Sequence, residues 1–215
     1  MATTKIDRAQ VADTALRLLN EVGLDGLTLR AIAKELGVQA PALYWHFKNK
    51  QALLDEMATV MYRRMAEDGP PGLAEPTWQG QLCAVNRALR AMLLGYRDGA
   101  KVYGGARFTG TDHAEALEAH LGRMCQEGWT LRDAVRAGTL AYAYTMGFVA
   151  EEQGSVPAPG GQGESVDVAA RAERLSAYPL AAAAGADIFE SFDERFEEGL
   201  TVLVAGIEAT YRPRG

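Results

Sequence analysis

The chain has 215 residues, 48% apolar, 23% charged and 8% aromatic, which excludes a disordered or collagen-like polypeptide and leaves room for one large domain or two modest ones. No apolar run approaches the roughly 18–20 residues of a membrane-spanning helix, and the opening MATTKIDRAQ is charged where a signal peptide needs an apolar segment, so a cytoplasmic chain with no membrane partner is expected. The formal charge of −6 speaks against a nucleic-acid partner until it is divided, because residues 1–50 carry seven Lys/Arg against five acids, net +2, and the rest of the chain is at −8.

Residues 7–22 set Val11, Ala15, Leu18, Leu19 and Val22 at helical spacing behind Ile6, with Gly23 where a C-terminal cap belongs. Thr28 then caps a short helix, LRAIAKEL, whose Leu29, Ile32, Ala33 and Leu36 share a face, and Gly37 ends it. In QAPALYWHF, Pro41 suits the first turn of another short helix and could not sit in its middle. Two short helices meeting at one glycine make a helix-turn-helix, whose second helix can enter a DNA major groove.

Asn49 is the expected cap of a helix from Lys50 to about Glu67, stopped by Gly69, Pro70, Pro71 and Gly72. From Pro76 a longer helix is predicted through Trp78, Leu82, Val85, Leu89, Met92 and Leu93 to about Tyr96, followed by an irregular glycine-rich stretch over 98–111. Helical period resumes from Asp112 to Gln126 on Leu117, Leu121 and Met124, breaks at Gly128, and returns from Thr130 to about Gln153. Composition predicts a mobile loop over about 154–170. The last helix, from about Asp187 to Tyr211, carries Phe189, Phe192, Phe196, Leu200, Leu203 and Ile207 at spacings of three and four. That seam either packs inside its own subunit or joins the small-residue helix of Ala137, Gly138, Ala141, Ala143 and Gly147 in a four-helix interface with a second copy. The dimer is preferred, because a single helix-turn-helix needs a two-fold partner to hold a palindromic site.

The chemistry concentrates in the head. LYWHF sets four aromatic rings in a row, which cannot all face one core. Tyr44, His46, Lys48 and Lys50, with Thr28 and Arg30 from the preceding helix, are donors suited to phosphate oxygens, and Gln39 can read the edge of an adenine. Cys83 and Cys125 are too few for a disulfide framework or a four-thiolate zinc site and read as buried thiols. Dinucleotide, P-loop, HExxH and GxSxG motifs are missing, so no cofactor and no metal are expected.

The run LDGLTLRAIAKELGVQAPALYWHFKNKQALLDEM, Leu24 to Met57, resembles the DNA-binding head of the TetR family of bacterial transcriptional repressors, nearest to its tetracycline-repressor subgroup. The likeness continues more thinly through YRDGAKV, the Glu127–Asp133 run and a segment ending at Glu151. It implies that Arg30, Gln39, Pro41, Tyr44, Trp45, His46 and Lys50 occupy operator-contacting positions, with Leu43 a core residue or an apolar base contact. Ala40 and Ala42 replace polar residues of the subgroup, so the subgroup's operator sequence does not carry over to this chain.

In the resembling family an inducer fills a cavity among the central helices, and in the subgroup a His and a Glu hold a magnesium–tetracycline complex. Here Glu151 matches the Glu and Arg107 is retained, but Tyr103 stands at the His, and Ala66, Val85, Leu89 and His120 replace other contacts. A phenol beside a lone carboxylate makes a poor magnesium site. The implied pocket is more apolar, with Tyr103, Arg107, His120, Tyr142 and Glu151 as polar groups and Val85, Leu89 and Met124 as wall. Against these, His113 and His120 also read as surface residues, Glu151 as a solvated helix-end charge, and Arg107 as a partner of Asp112 or Glu115.

The expected fold is therefore all-α, with an N-terminal three-helix helix-turn-helix DNA-binding domain at residues 1–49 and a C-terminal helical ligand-binding and dimerisation domain at 50–215. The expected function is a homodimeric repressor on a palindromic double-stranded operator, released by a small-molecule inducer. A constitutive DNA binder with a filled body, and an all-helical enzyme using Tyr103, His120 and Glu151 as acid and base, are the alternatives.

Overall fold

A computed structural model describes residues 7–156 and 165–211, and all regular structure among them is helical. Residues 157–164 of the loop expected over 154–170 lie outside the described residues, and helices enter that span at both ends, to Ser155 and from Val168. Helix α1 (Arg8–Gly26) begins at Asp7, whose carboxylate accepts from Gln10 N at 2.7 Å. It does not stop at Gly23. That residue turns to φ 71° inside the helix, with the Arg97 guanidinium 2.9 Å from where a Cβ would stand, and one more turn follows.

Thr28 caps α2 (Leu29–Glu35) as expected. Gly37, at φ 67°, lets Val38 N reach Ala33 O at 2.9 Å and Gly37 N reach Lys34 O at 3.1 Å, the paired bonds of a Schellman turn. Next come α3 (Ala40–Tyr44), with Pro41 in its first turn, and α4 (Lys50–Met65), capped by Asn49 and ending two residues short of Glu67. Helix α5 (Trp78–Leu94) is capped by Thr77, so Pro76 precedes the cap instead of opening the helix. Within the stretch expected to be irregular lies α6 (Gly99–Tyr103), entered through Asp98 at φ 57°. Its first residue must be glycine, since a Cβ there would collide with the Leu93 carbonyl.

Helices α7 (Asp112–Gln126) and α8 (Leu131–Ser155) follow the periodicity, with Thr130 capping α8. Three short helices follow: α9 (Val168–Arg174), which begins inside the expected loop, α10 (Pro179–Ala183), where no element is predicted, and α11 (Gly185–Phe189), which takes up the first residues of the predicted last helix. The last helix, α12 (Phe192–Tyr211), starts later than Asp187 because Ser191 at φ 51° breaks the chain. Phe189 therefore leaves the seam and lies under the Arg171 guanidinium at 5.5 Å.

One core cluster runs from Val11, Leu16 and Leu19 of α1 through Ile32, Leu43, Phe47 and Met57 to Leu93, Val102, Tyr103 and Val149, so α4 is packed on both the head and the body. A second joins Trp78, Leu82, Trp129, Ala137, Ala141 and Ile207, with the two indoles edge-on at 5.1 Å. Phe196, Leu200 and Ile207 of the α12 seam are buried within their own chain. Arg90 ties α5 to α8 and α12: it grips Glu152 with two bonds of 2.6 and 2.9 Å, pairs with Asp193 at 2.7 Å, and lies 5.0 Å from the Phe196 ring. The cysteines are free thiols, but Cys83 is only half-buried and Cys125 is exposed, because each falls off its helix's apolar face. No helix among the described residues is long and apolar enough to cross a membrane.

Candidate nucleic-acid interface and ligand cavity

The helix-turn-helix divides its aromatic run as helical geometry demands. Leu43 and Phe47, four apart, are fully buried, which settles Leu43 as core, whereas Tyr44 is 56% and Trp45 91% exposed. Gln39 holds the N-cap position of α3 without bonding the helix backbone, which leaves its amide exposed at that end of the helix. Arg30, Pro41 and Lys48 are exposed around it, and His46 is half-buried. Thr28 is exposed while its oxygen accepts from Ala31 N at 3.1 Å. Lys50 donates to the Leu24 carbonyl at 2.9 Å, leaving two of its three ammonium hydrogens for other acceptors. Behind the head, Arg8 fixes the end of α3: it donates to His46 O at 2.6 Å and to buried Glu56 at 2.9 Å, and lies 4.6 Å from the Phe47 ring.

In the body, α4, α5, α7 and α8 line a cavity of about 460 Å³, a size typical of small-molecule sites, which is open to solvent along Leu73, Leu117, Val135 and Tyr142. Of the predicted ligand residues, Val85, Leu89, His120 and Tyr142 line it. Met124 does not, being buried in the second core cluster against the tryptophans. Tyr103 stands one layer back, 7% exposed, with its ring 5.7 Å from Phe108. Arg107 is exposed and uses its backbone N–H on Asp55, while its supposed partner Asp112 is held by Arg63 at 2.9 and 3.0 Å. Glu151 is exposed on α8, and the next residue, Glu152, is the one turned inward to Arg90. Tyr103, His120 and Glu151 therefore do not converge on one acid–base centre.

The wall also contains groups that periodicity alone passed over. Gln81 and Asn86 interrupt the apolar face of α5, and Asn86 is satisfied by Leu82 O and by the Thr145 hydroxyl at 2.7 Å. His113 and His120, seven apart and so on one face of α7 with Leu117, both look into the cavity. That spacing was the available signal. Gln81 is 4% exposed, and its Oε1, like His113 Nδ1, is buried with no hydrogen-bond partner among the described residues. His113 lies 5.0 Å from Phe108 and 6.4 Å from Tyr62 between ring centroids. Burial, then nearby Arg123, lowers the His120 pKa. Burial raises the phenols of Tyr62, Tyr103 and Tyr142, with Asp112 adding to Tyr62 and the neighbouring phenols to Tyr103. These groups are neutral at pH 7.

The connection between α4 and α5 covers one side through Pro70, Pro71 and Leu73, and Arg123 of α7 pins it by donating to Leu73 O and Glu75 O at 3.2 and 3.0 Å. Head and body meet at the turn before α6. Asp98 accepts from Leu24 N at 3.0 Å and from Lys101 at 2.8 Å, Arg97 donates to Asn20 and to Glu21 O, and Arg64 of α4 reaches both Asp13 and Tyr96.

Two family models match the chain: "Bacterial regulatory proteins, tetR family" over residues 11–57 and "Tetracyclin repressor-like, C-terminal domain" over 70–211. Tetracycline repressor protein class A from transposon 1721 of Escherichia coli is 41% identical over 209 residues, covering 95% of this chain and 91% of that protein. A possible TetR family transcriptional regulator from Streptomyces coelicolor A3(2) superposes with a TM-score of 0.80 at 38% identity, covering 94% of this chain and 99% of the other. The class A TetR complex with 5a,6-anhydrotetracycline and magnesium gives a TM-score of 0.65 at 34% identity, covering 94% of this chain and 97% of the other.

Proposed function

The chain belongs to the TetR family of bacterial regulatory proteins, and we propose on that footing that it represses transcription as a homodimer on a palindromic operator and releases the DNA when a small molecule fills the cavity. The observation that carries the sensor half is the cavity itself, since a constitutive binder has no use for about 460 Å³ of unfilled space in its body. Residues 1–49 form the DNA-reading unit and residues 50–215 the ligand and dimerisation unit, with α4 belonging to the packing of both. Thr28, Arg30, Tyr44, Trp45, His46, Lys48 and Lys50 meet the phosphate backbone and groove, and Gln39 and Pro41 lie at the α3 end that faces the bases. The protein acts as a regulator, not an enzyme, and does so in the cytoplasm.

Dimerisation uses the outer faces of α8 and α12. Leu140, Ala143 and Gly147 on one helix, and Val202, Ala205 and Ala209 on the other, remain exposed after the seam is buried, Val202 at 72%. A Cβ at Gly147 or Gly206 would meet nothing, so a second backbone can approach closely. An occupant that pushes on α4 or on the turn before α6 tilts the heads away from the roughly 34 Å spacing of successive major grooves. To move the population from about 1:99 to 99:1, it must favour the released state by about 5.5 kcal/mol.

Fluorescence anisotropy on a labelled duplex from the region upstream of the protein's own gene, followed by titration of candidate compounds, tests this reading. Salt-dependent specific binding that is lost on adding a compound is expected. A compound that occupies the cavity tightly and leaves DNA affinity unchanged removes the induction model.

A further inference from the structure

The relative crystallised with magnesium raises the question of whether this cavity could hold a metal-bearing ligand. Its donor set does not fit one. The twenty lining residues include no Asp, Glu, Lys or Arg, the phenols around it are held protonated by burial, and the exposed Glu151 is not among them. Among the described residues no cluster of three or more His, Cys, Asp or Glu could hold a metal ion. An ionised ligand group seated against the buried part of this wall, at Gln81, Leu82 and Leu89, would give up hydration and find no Asp, Glu, Lys or Arg to pair with.

We propose that the cavity takes a neutral, metal-free, largely apolar molecule that presents a hydrogen-bond donor to Gln81 Oε1 or His113 Nδ1, the two buried side-chain atoms left without a partner among the described residues. An orphaned acceptor in an apolar cavity is costly unless a ligand supplies the missing donor. Both atoms lie in the wall of the same cavity, one on α5 and one on α7, and the surrounding surface of Leu82, Val85, Leu89 and Leu117 supplies the apolar contact. This inference rests on reading the cavity as a ligand site, and it selects a class of ligand unlike a metal chelate.

A matched pair of fluorescent probes tests it on the full-length protein. N-phenyl-1-naphthylamine is neutral and carries one N–H, whereas 8-anilino-1-naphthalenesulfonate has the same skeleton with an added sulfonate. The neutral probe is expected to bind at least about tenfold more tightly, the sulfonate being stripped of water without a partner. Gln81→Met or His113→Phe should weaken the neutral probe by about three- to tenfold, the worth of one hydrogen bond, with thermal melting used to confirm that each variant folds. Tetracycline with millimolar magnesium chloride should fail to displace it. Equal or tighter binding of the sulfonate, no binding of the neutral probe, wild-type affinity in both folded variants, or magnesium-dependent displacement by tetracycline would each overturn the proposal. The probe comparison on the unmodified protein decides the matter even if both variants misfold. Failure of the repressor reading shows elsewhere, as loss of operator binding or of compound-driven release in the anisotropy assay.

Discussion

Trp45 offers a clean separation of DNA contact from folding. Its side chain is 91% exposed, so Trp45→Ala withdraws only about a tenth of an aromatic's 150–250 Å² from the interior. At about 25 cal/mol per Å² this is about 0.5 kcal/mol of stability, or roughly 1–2 °C in melting temperature for a chain of this size. If Trp45 lies against the duplex, the same change removes about 1–2 kcal/mol of operator binding, a five- to thirtyfold loss. The comparison variant is Leu43→Ala, two residues before Trp45 and inside α3 but fully buried, which should cost about 2–5 kcal/mol in stability. Thermal melting at fixed protomer concentration and anisotropy at fixed salt measure the two effects separately. A Trp45→Ala protein that melts several degrees lower while holding DNA as tightly as before would refute the reasoning, since it would place the indole in a protein contact.

Other outcomes follow from the same geometry. Lys48→Ala should weaken every DNA sequence alike and flatten the salt dependence by about one unit, whereas Gln39→Ala should relax preference at one base pair, as seen by anisotropy across salt and across single-base operator variants. Arg90→Met strands Glu152 in a nearly buried setting and should cost about 3–5 kcal/mol, while the double change Arg90→Met/Glu152→Met should recover most of it in denaturant titration. Burial raises the Asp98 carboxyl, but the bonds from Lys101 and Leu24 outweigh it and hold its pKa below the usual carboxylate range. Its contribution is therefore fully present above the unfolded carboxylate value and is lost as pH falls through the lower folded one. Acid titration of stability should show a step that Asp98→Asn reduces.

Local rules carried the head. Caps at Thr28 and Asn49, Pro41 in a first turn and Gly37 at positive φ each act within a few residues, so the helix-turn-helix was legible from the chain alone. The cavity was less so, because its wall is assembled from four helices distant in sequence. Met124 and Leu89 both lie on apolar faces, and only the placement of α7 against the tryptophans makes one of them core and the other wall. Glu151 and Glu152 differ by one step of about 100° around α8, which puts one in solvent and the other on Arg90. His113 reads as a surface residue and Gln81 draws no reading at all, because a polar residue on an apolar face passes for an exception, and here the two are the places where the cavity is chemically unfinished. Helices α9 and α10 are brief and bury nothing, so no apolar period announces them, and Phe189 of α11 reads as the start of the last helix until Ser191 breaks the chain.

The hold of Arg123 on the α4–α5 connection bears on time more than on affinity. Bonds kept in both the empty and the filled state contribute equally to each and leave a dissociation constant nearly untouched, whereas a ligand route past Pro70, Pro71 and Leu73 has to break them. Arg123→Met is therefore expected to speed both entry and release of a compound with little change in affinity, as read by stopped-flow fluorescence. On that expectation the intact latch makes a sensor that answers slowly and remembers for longer than its affinity implies.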